Sequence, residues 1–84
     1  MEHLLDVSEL EPCEPLEQTL ASSRTLPDGD YLRVIHRREP HALFPLLEKS
    51  GFVSFCRQGG PSGYEIFIWR ARDQLAEQRA KSAL

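Results

Sequence analysis

The stretch Leu10-Glu11-Pro12-Cys13-Glu14-Pro15-Leu16 sets where the first helix of this chain begins. Proline fits the first turn of a helix, where its missing N–H has no partner to lose. It also biases the residue before it away from helical angles. Two prolines three positions apart therefore predict a helix that starts around Cys13 to Glu14, with the Cys13 thiol near the positive helix end.

Short apolar runs and helical patterns alternate on either side of this stretch. Strands are predicted over residues 3–7, 31–36, 52–57 and 64–70, and helices over 14–24 and 41–49. A strand–helix–strand unit closes with a right-handed crossover and parallel strands. The sequence therefore predicts an α+β fold, a two-layer sandwich of order β-α-β-α-β-β, with a mixed four-stranded sheet and both helices on one face.

The 84 residues suffice for one small domain. We assign residues 1–72 to this domain and residues 73–84 to a polar C-terminal tail. Leu75 and Leu84 offer the tail little to bury, so we expect a frayed helix or disorder there.

The predicted sheet leaves one face without helices. Alternation along the last strand separates Phe67 and Trp69 from the isoleucines, and places them on this open face near Tyr31. An exposed apolar patch of this kind often marks a contact surface. We expect a protein partner or a second copy of the chain to bind there, and the alternative is that the tail folds back over the face.

Charge and composition bear on several classes of partner. The formal charge of −3 opposes nucleic-acid binding through phosphate contacts. No apolar run reaches the roughly 18 residues that a membrane helix needs, and the N-terminus lacks the pattern of a secretory signal. Two cysteines are few for a small disulfide-stabilised domain. We therefore expect free thiols, a cytoplasmic location and no membrane partner.

Cys13 is the candidate catalytic residue, in the sense of a thiol that carries sulfur. A helix N-terminus lowers the pKa of a thiol, whereas the neighbouring Glu11 and Glu14 raise it. Cys13 is therefore interpreted either as a functional thiol or as a small residue at a helix start. Cys56, in the middle of a strand, is typical of a buried and inert cysteine.

A basic cluster follows the second strand, where a loop meets a helix N-terminus. Loops of this kind are natural anion sites, and the cluster is expected to share one sheet edge with the start of the first helix. The alternative is an ordinary solvated turn. The candidate binding residues at this edge are Glu14, Pro15, His36, Arg37, Arg38, Glu39 and His41.

The sequence contains no strong signal for an enzyme. The loop 59–63 is no phosphate loop, because it lacks the Gly-Lys-Ser/Thr ending and leads into a strand. The three histidines are scattered, and neither a Ser-His-Asp set nor a paired-carboxylate site is evident. We expect no metal and no cofactor.

Three segments resemble the TusA-like (SirA-like) small domains: Leu5-Asp6-Val7, the stretch 10–15, and Leu26-Pro27-Asp28-Gly29-Asp30-Tyr31-Leu32. The segment from Arg38 to Phe52 is similar to an uncharacterised bacterial sister group, in which a Glu-Pro-x-Glu-Pro-type motif replaces Cys-Pro-x-Pro. The resemblance covers about residues 4 to 70, and implies the same two-layer sandwich.

This resemblance also implies a function. TusA proteins carry a persulfide on the cysteine of a Cys-Pro-x-Pro motif at the start of the first helix. Here the motif reads Pro12-Cys13-Glu14-Pro15, so the cysteine is displaced by one residue, which turns a helical side chain by about 100°. The sequence thus predicts a small non-enzymatic binding or adaptor module, in redox or sulfur metabolism; the alternative is a sulfur carrier that uses Cys13.

Overall fold

Four strands and three helices make up the part of the chain that the computed structural model describes, residues 1–9, 14–59 and 63–84. In chain order they are β1 (Glu2–Asp6), α1 (Glu14–Arg24), β2 (Tyr31–His36), α2 (Leu43–Lys49), β3 (Phe52–Gln58), β4 (Tyr64–Arg70) and α3 (Gln74–Ala83). The order from β1 to β4 confirms the predicted β-α-β-α-β-β arrangement. Cys13 lies outside the described residues.

The strands form one mixed sheet in the order β1-β2-β4-β3. β1 and β2 are parallel, as expected for two strands that α1 connects. β4 is antiparallel to both β2 and β3. Because β1 and β2 run in the same direction, their C-terminal ends lie side by side at one end of the sheet, next to the start of α1.

The main core lies between the sheet and the first two helices. The predicted alternation is confirmed, because Ile66 and Ile68 of β4 are fully buried on this face. Leu16 and Leu20 of α1 pack against the same cluster. Its buried members are Val7, Leu26, Leu32, Val34, Leu43, Leu47, Phe52, Ile66 and Ile68.

α3 covers the opposite face of the sheet over β2 and β4, whereas the sequence predicts a frayed helix or disorder for this segment. Ala76 and Ala80 are 0% exposed, and they pack in a second cluster with Tyr31, Phe67 and Trp69. The expectation of an open face at these three aromatic residues is therefore wrong, and its alternative, cover by the tail, is the arrangement observed. Small alanine side chains let the helix approach the aromatic rings closely, so the tail needs no large apolar residues.

None of the helices in the described part of the chain has the length and apolar character that a bilayer crossing needs.

Candidate binding pocket between the first and second helices

An open cavity of about 320 Å³ lies between the start of α1 and the segment that joins β2 to α2. Its wall is mainly apolar, which is the usual character of a ligand pocket, and its volume is at the small end for such sites. The lining residues are Pro15, Leu16, His36, Pro40, His41, Ala42 and Leu43.

The parallel pairing of β1 and β2 places this cavity at the C-terminal ends of the two strands. The N–H of Val7 donates to the carbonyl of Ile35 at 2.9 Å, which holds the chain just beyond β1 against the end of β2. In sheets with parallel strands, ligands bind outside the carboxyl ends. The position of the cavity is thus one that the topology itself favours.

α1 contributes its first turn to the cavity. The helix begins at Glu14, as the two prolines predict, and Pro15 lies buried in its first turn. Leu16 is half-buried, and it contacts the main core as well as lining the cavity.

His36 is the last residue of β2 and is half-buried in the cavity wall. Burial lowers the pKa of this imidazole, because the charged form loses hydration. Its Nδ1 accepts a hydrogen bond from the Arg38 N–H at 3.2 Å. The neutral ring therefore carries its proton on Nε2.

The loop after His36 carries the remaining candidates. Arg37, Arg38, Glu39 and His41 are all exposed, and His41 Nε2 lies 3.5 Å from Glu39 Oε2. The structure therefore brings Pro15, His36 and His41 into one cavity. It places Arg37 and Arg38 on the exposed loop beside them.

Four lining residues were not singled out from the sequence: Leu16, Pro40, Ala42 and Leu43. Leucines at helical spacing predict a core, and both leucines do contact it. The sequence signal that points to the cavity is the pair Pro15 and Pro40, since each proline lies next to a helix start at the same sheet edge.

The predicted interface residues do not belong to this cavity. Tyr31, Phe67 and Trp69 lie on the other face of the sheet beneath α3. Within the described residues, no group of three or more His, Cys, Asp and Glu side chains could hold a metal ion.

Cys56 is a free cysteine on the face of β3 that α1 and α2 cover, where it packs against the main core. Burial raises the pKa of its thiol, and the nearby Glu39 carboxylate adds to this effect. The thiolate is thus disfavoured at neutral pH, consistent with the inert role that its position in the strand predicts.

Comparison with known proteins supplies a family. The family model described as "Uncharacterized conserved protein (DUF2249)" matches residues 4–70. No curated protein and no solved structure matches the chain. The matched segment runs from β1 to the end of β4 and includes every described residue that lines the cavity, whereas α3 lies beyond it. The chain belongs to the DUF2249 family.

Proposed function

We propose that this protein is a non-enzymatic binding module that receives one apolar side chain of a partner protein in the cavity between α1 and α2. The observation that supports this proposal most directly is the mainly apolar wall of the cavity and its volume of about 320 Å³. This volume suits a single large side chain better than an extended ligand.

The exposed loop beside the cavity indicates which residues the partner carries. Arg37 and Arg38 are exposed on the segment that lines the cavity mouth. With a single carboxylate, Glu39, on the same segment, its net charge is positive, and a positive patch steers association toward negatively charged partners. The partner segment therefore carries an aliphatic or aromatic anchor with Asp or Glu next to it.

The described lining favours binding over chemistry. Its side chains are apolar except for two imidazoles, and they include no hydroxyl, thiol or carboxylate. His36 is half-buried with a lowered pKa, so it presents a neutral ring that can donate one hydrogen bond from Nε2 to the partner.

Filling the cavity tests this function. Ala42 is exposed, lines the cavity and has ordinary helical angles (φ −70°, ψ −19°), so Ala42→Trp is tolerated by the backbone. A random peptide library displayed on phage is selected on the native protein, and the enriched peptides are then measured by fluorescence polarisation. We expect an apolar residue flanked by acidic residues, and at least tenfold weaker binding to the Ala42→Trp variant.

The matched control is Ala21→Trp, which adds the same side chain at an exposed position of α1 that does not line the cavity. This variant should bind the peptides as the native protein does. Equal binding to the native protein and to Ala42→Trp would refute the proposal, and so would the failure of the library to enrich any peptide.

A second candidate function is a sulfur carrier that holds a persulfide on Cys13, as the TusA-like resemblance implies. The supporting observation is the start of α1 at Glu14, the residue that follows Cys13 in the sequence. In such a transfer the Cys13 thiolate attacks the outer sulfur of a donor persulfide. The S–S bond of the donor breaks, its thiolate leaves, and a new persulfide forms on Cys13.

The pKa of the Cys13 thiol separates the two functions. It is obtained from the alkylation rate as a function of pH in a Cys56→Ser background, which removes the other cysteine. A pKa below about 7 would support the carrier, whereas a value at or above the ordinary 8.5 or so would exclude a carrier that depends on the Cys13 thiolate. The binding module, by contrast, should keep its peptide affinity in Cys13→Ala.

A further inference from the structure

The outer edge of β3 is unpaired in the described part of the chain, since β3 is the last strand in the order β1-β2-β4-β3. Folded proteins usually protect such edges with short strands, charges, proline or bulges. The edge strand β1 is protected in this way, with five residues that include Glu2 and Asp6. β3 has seven residues in unbroken register with β4 and contains no proline, and its single charged side chain, Arg57, lies 3.5 Å from Glu65 of β4.

Hydrogen bonds at the two ends of the hairpin show which residues of β3 face outward. The Gly59 N–H donates to the Gly63 carbonyl at 2.8 Å, and the Ala71 N–H donates to the Gly51 carbonyl at 2.9 Å. Hydrogen-bonded and non-hydrogen-bonded residue pairs alternate along two antiparallel strands. The odd-numbered residues between Gly51 and Gly59 therefore form the hydrogen-bonded pairs with β4. The residues that direct their N–H and C=O groups to the free edge are Phe52, Ser54, Cys56 and Gln58.

These four residues are symmetric about Phe55. A two-fold axis through Phe55 pairs Ser54 with Cys56 of a second copy and Phe52 with Gln58, so every free N–H and C=O of the edge finds a partner. Phe55 then faces its own symmetry mate in a non-hydrogen-bonded pair, the type in which side chains lie closest. Val53 faces Arg57 of the second copy, so no like charges are opposed.

The side chains on the exposed face of β3 fit this pairing. Phe55 is 45% exposed and Val53 is 38% exposed, and α3 packs mainly over β2 and β4. We therefore propose that two copies of this protein associate through antiparallel pairing of their β3 strands, which extends the sheet to eight strands. This proposal is independent of the pocket function.

The size of the contact sets the expected affinity. A strand of seven residues is about 24 Å long, and pairing along it gives an area at the small end of specific interfaces. We expect a reversible dimer with a dissociation constant on the order of 10 to 100 µM. Sedimentation equilibrium of the full chain under reducing conditions measures this dissociation constant, at protein concentrations from about 10 to 500 µM.

Two substitutions at the exposed positions test the register. Phe55→Glu places two carboxylates opposite each other at the two-fold axis, and their repulsion should raise the dissociation constant at least tenfold. Val53→Glu is the matched control, because its carboxylate would face Arg57 of the second copy and should leave the dimer unchanged or tighter. Weakening of the dimer by both substitutions to the same extent would contradict the pairing about Phe55.

A third variant tests the backbone pairing itself. The Ser54 N–H points to the free edge, so Ser54→Pro keeps the hydrogen bonds between β3 and β4 and should leave a folded monomer. Circular dichroism and thermal unfolding check that it folds. A native protein that stays at the 9.6 kDa mass of one chain up to 500 µM would overturn the proposal. A dimer that survives both Ser54→Pro and Phe55→Glu would also overturn it.

Discussion

The Asp73 carboxylate accepts a hydrogen bond from the backbone N–H of Gly29 at 2.6 Å. The same side chain caps α3, because its other oxygen accepts from the Ala76 N–H at 3.0 Å. Arg79 donates from the middle of α3 to the Gly29 carbonyl at 3.0 Å. Gly29 has a φ of +82°, which glycine adopts readily. One tight turn thus fixes the helix that covers the second face of the sheet.

Acid should weaken this attachment. Hydrogen bonds from Ala76 and Gly29 lower the pKa of Asp73 in the folded protein. The stabilisation is therefore complete above the unfolded pKa of about 3.9, and it is lost as the pH falls through the lower folded value. We expect Asp73→Asn to show less loss of stability below pH 4 than the native protein. Urea unfolding between pH 2 and 7 measures this difference.

Asp73→Ala provides the matched comparison for the cap. Asparagine still accepts hydrogen bonds at a helix N-terminus, whereas alanine does not. Asp73→Ala should therefore be less stable than Asp73→Asn at pH 7. If both variants matched the native protein at pH 7, the carboxylate of Asp73 would not fix α3.

The cover of the aromatic face by α3 depends on small side chains. Ala80 is fully buried against the cluster that contains Trp69. A carboxylate there lacks both space and hydration, so Ala80→Glu should lower the free energy of unfolding by about 3 kcal/mol. The emission of Trp69, the single tryptophan of the chain, should shift to longer wavelength as α3 detaches.

The control for this change is Ala83→Glu, at an exposed position in the last turn of α3. Its effect on stability should stay within about 0.5 kcal/mol, as for most surface substitutions. An unchanged emission spectrum in Ala80→Glu would show that the helix does not shield the tryptophan.

The fold was predictable from the sequence up to β4, because the clear apolar patterns lie in that part of the chain. The C-terminal tail has no such pattern. Alternation in β2 and β4 distinguishes the two faces of the sheet, and the prolines before α1 mark its start. In the tail the large residues Leu75 and Leu84 remain exposed, whereas the buried positions are alanines. Alanine spacing is a weak sign of burial, because most of the buried area belongs to the aromatic residues of the sheet.

Only some of the residues of the candidate site were predictable from the sequence. His36 and His41 were expected at the same sheet edge as Pro15, and all three line the cavity. The apolar wall was not foreseen, because Leu16 and Leu43 have the helical spacing of core residues. Whether such residues fill a core or line a cavity depends on how closely α1 approaches the loop before α2, which periodicity does not encode.

Gly63 holds the start of β4 close to the end of β2. Its φ is +123°, and a Cβ there would lie 2.6 Å from the carbonyl oxygens of His36 and Arg37. Gly63→Ala should therefore destabilise the protein by about 2 to 4 kcal/mol, through backbone strain and this clash. Gly51 has a φ of +86° but open space around it, so Gly51→Ala should cost only about 1 kcal/mol. Thermal unfolding that ranks the two variants equally would contradict the close approach.

Glu65 links β2 and β3 on the same face of the sheet as α3, beyond the part that this helix covers. Its Oε2 accepts a hydrogen bond from Arg33 Nε at 2.5 Å, and its Oε1 lies 3.5 Å from Arg57 Nε. The bond to Glu65 raises the pKa of Arg33. We expect Glu65→Ala to lower the free energy of unfolding by about 1 to 2 kcal/mol, less than for a fully buried ion pair, since both arginines remain partly exposed.

Gly59 provides the space for this carboxylate, because a Cβ on Gly59 would lie 2.4 Å from the Cγ of Glu65. Gly59→Ala should therefore displace the Glu65 side chain, and lower stability by about 1 to 3 kcal/mol in the native background. In the Glu65→Ala background the same substitution should cost much less, since the clash is gone. A double-mutant cycle with urea unfolding gives the coupling energy between the two positions. Additive effects would show that glycine is required at position 59 by the backbone of the hairpin, and not by the Glu65 side chain.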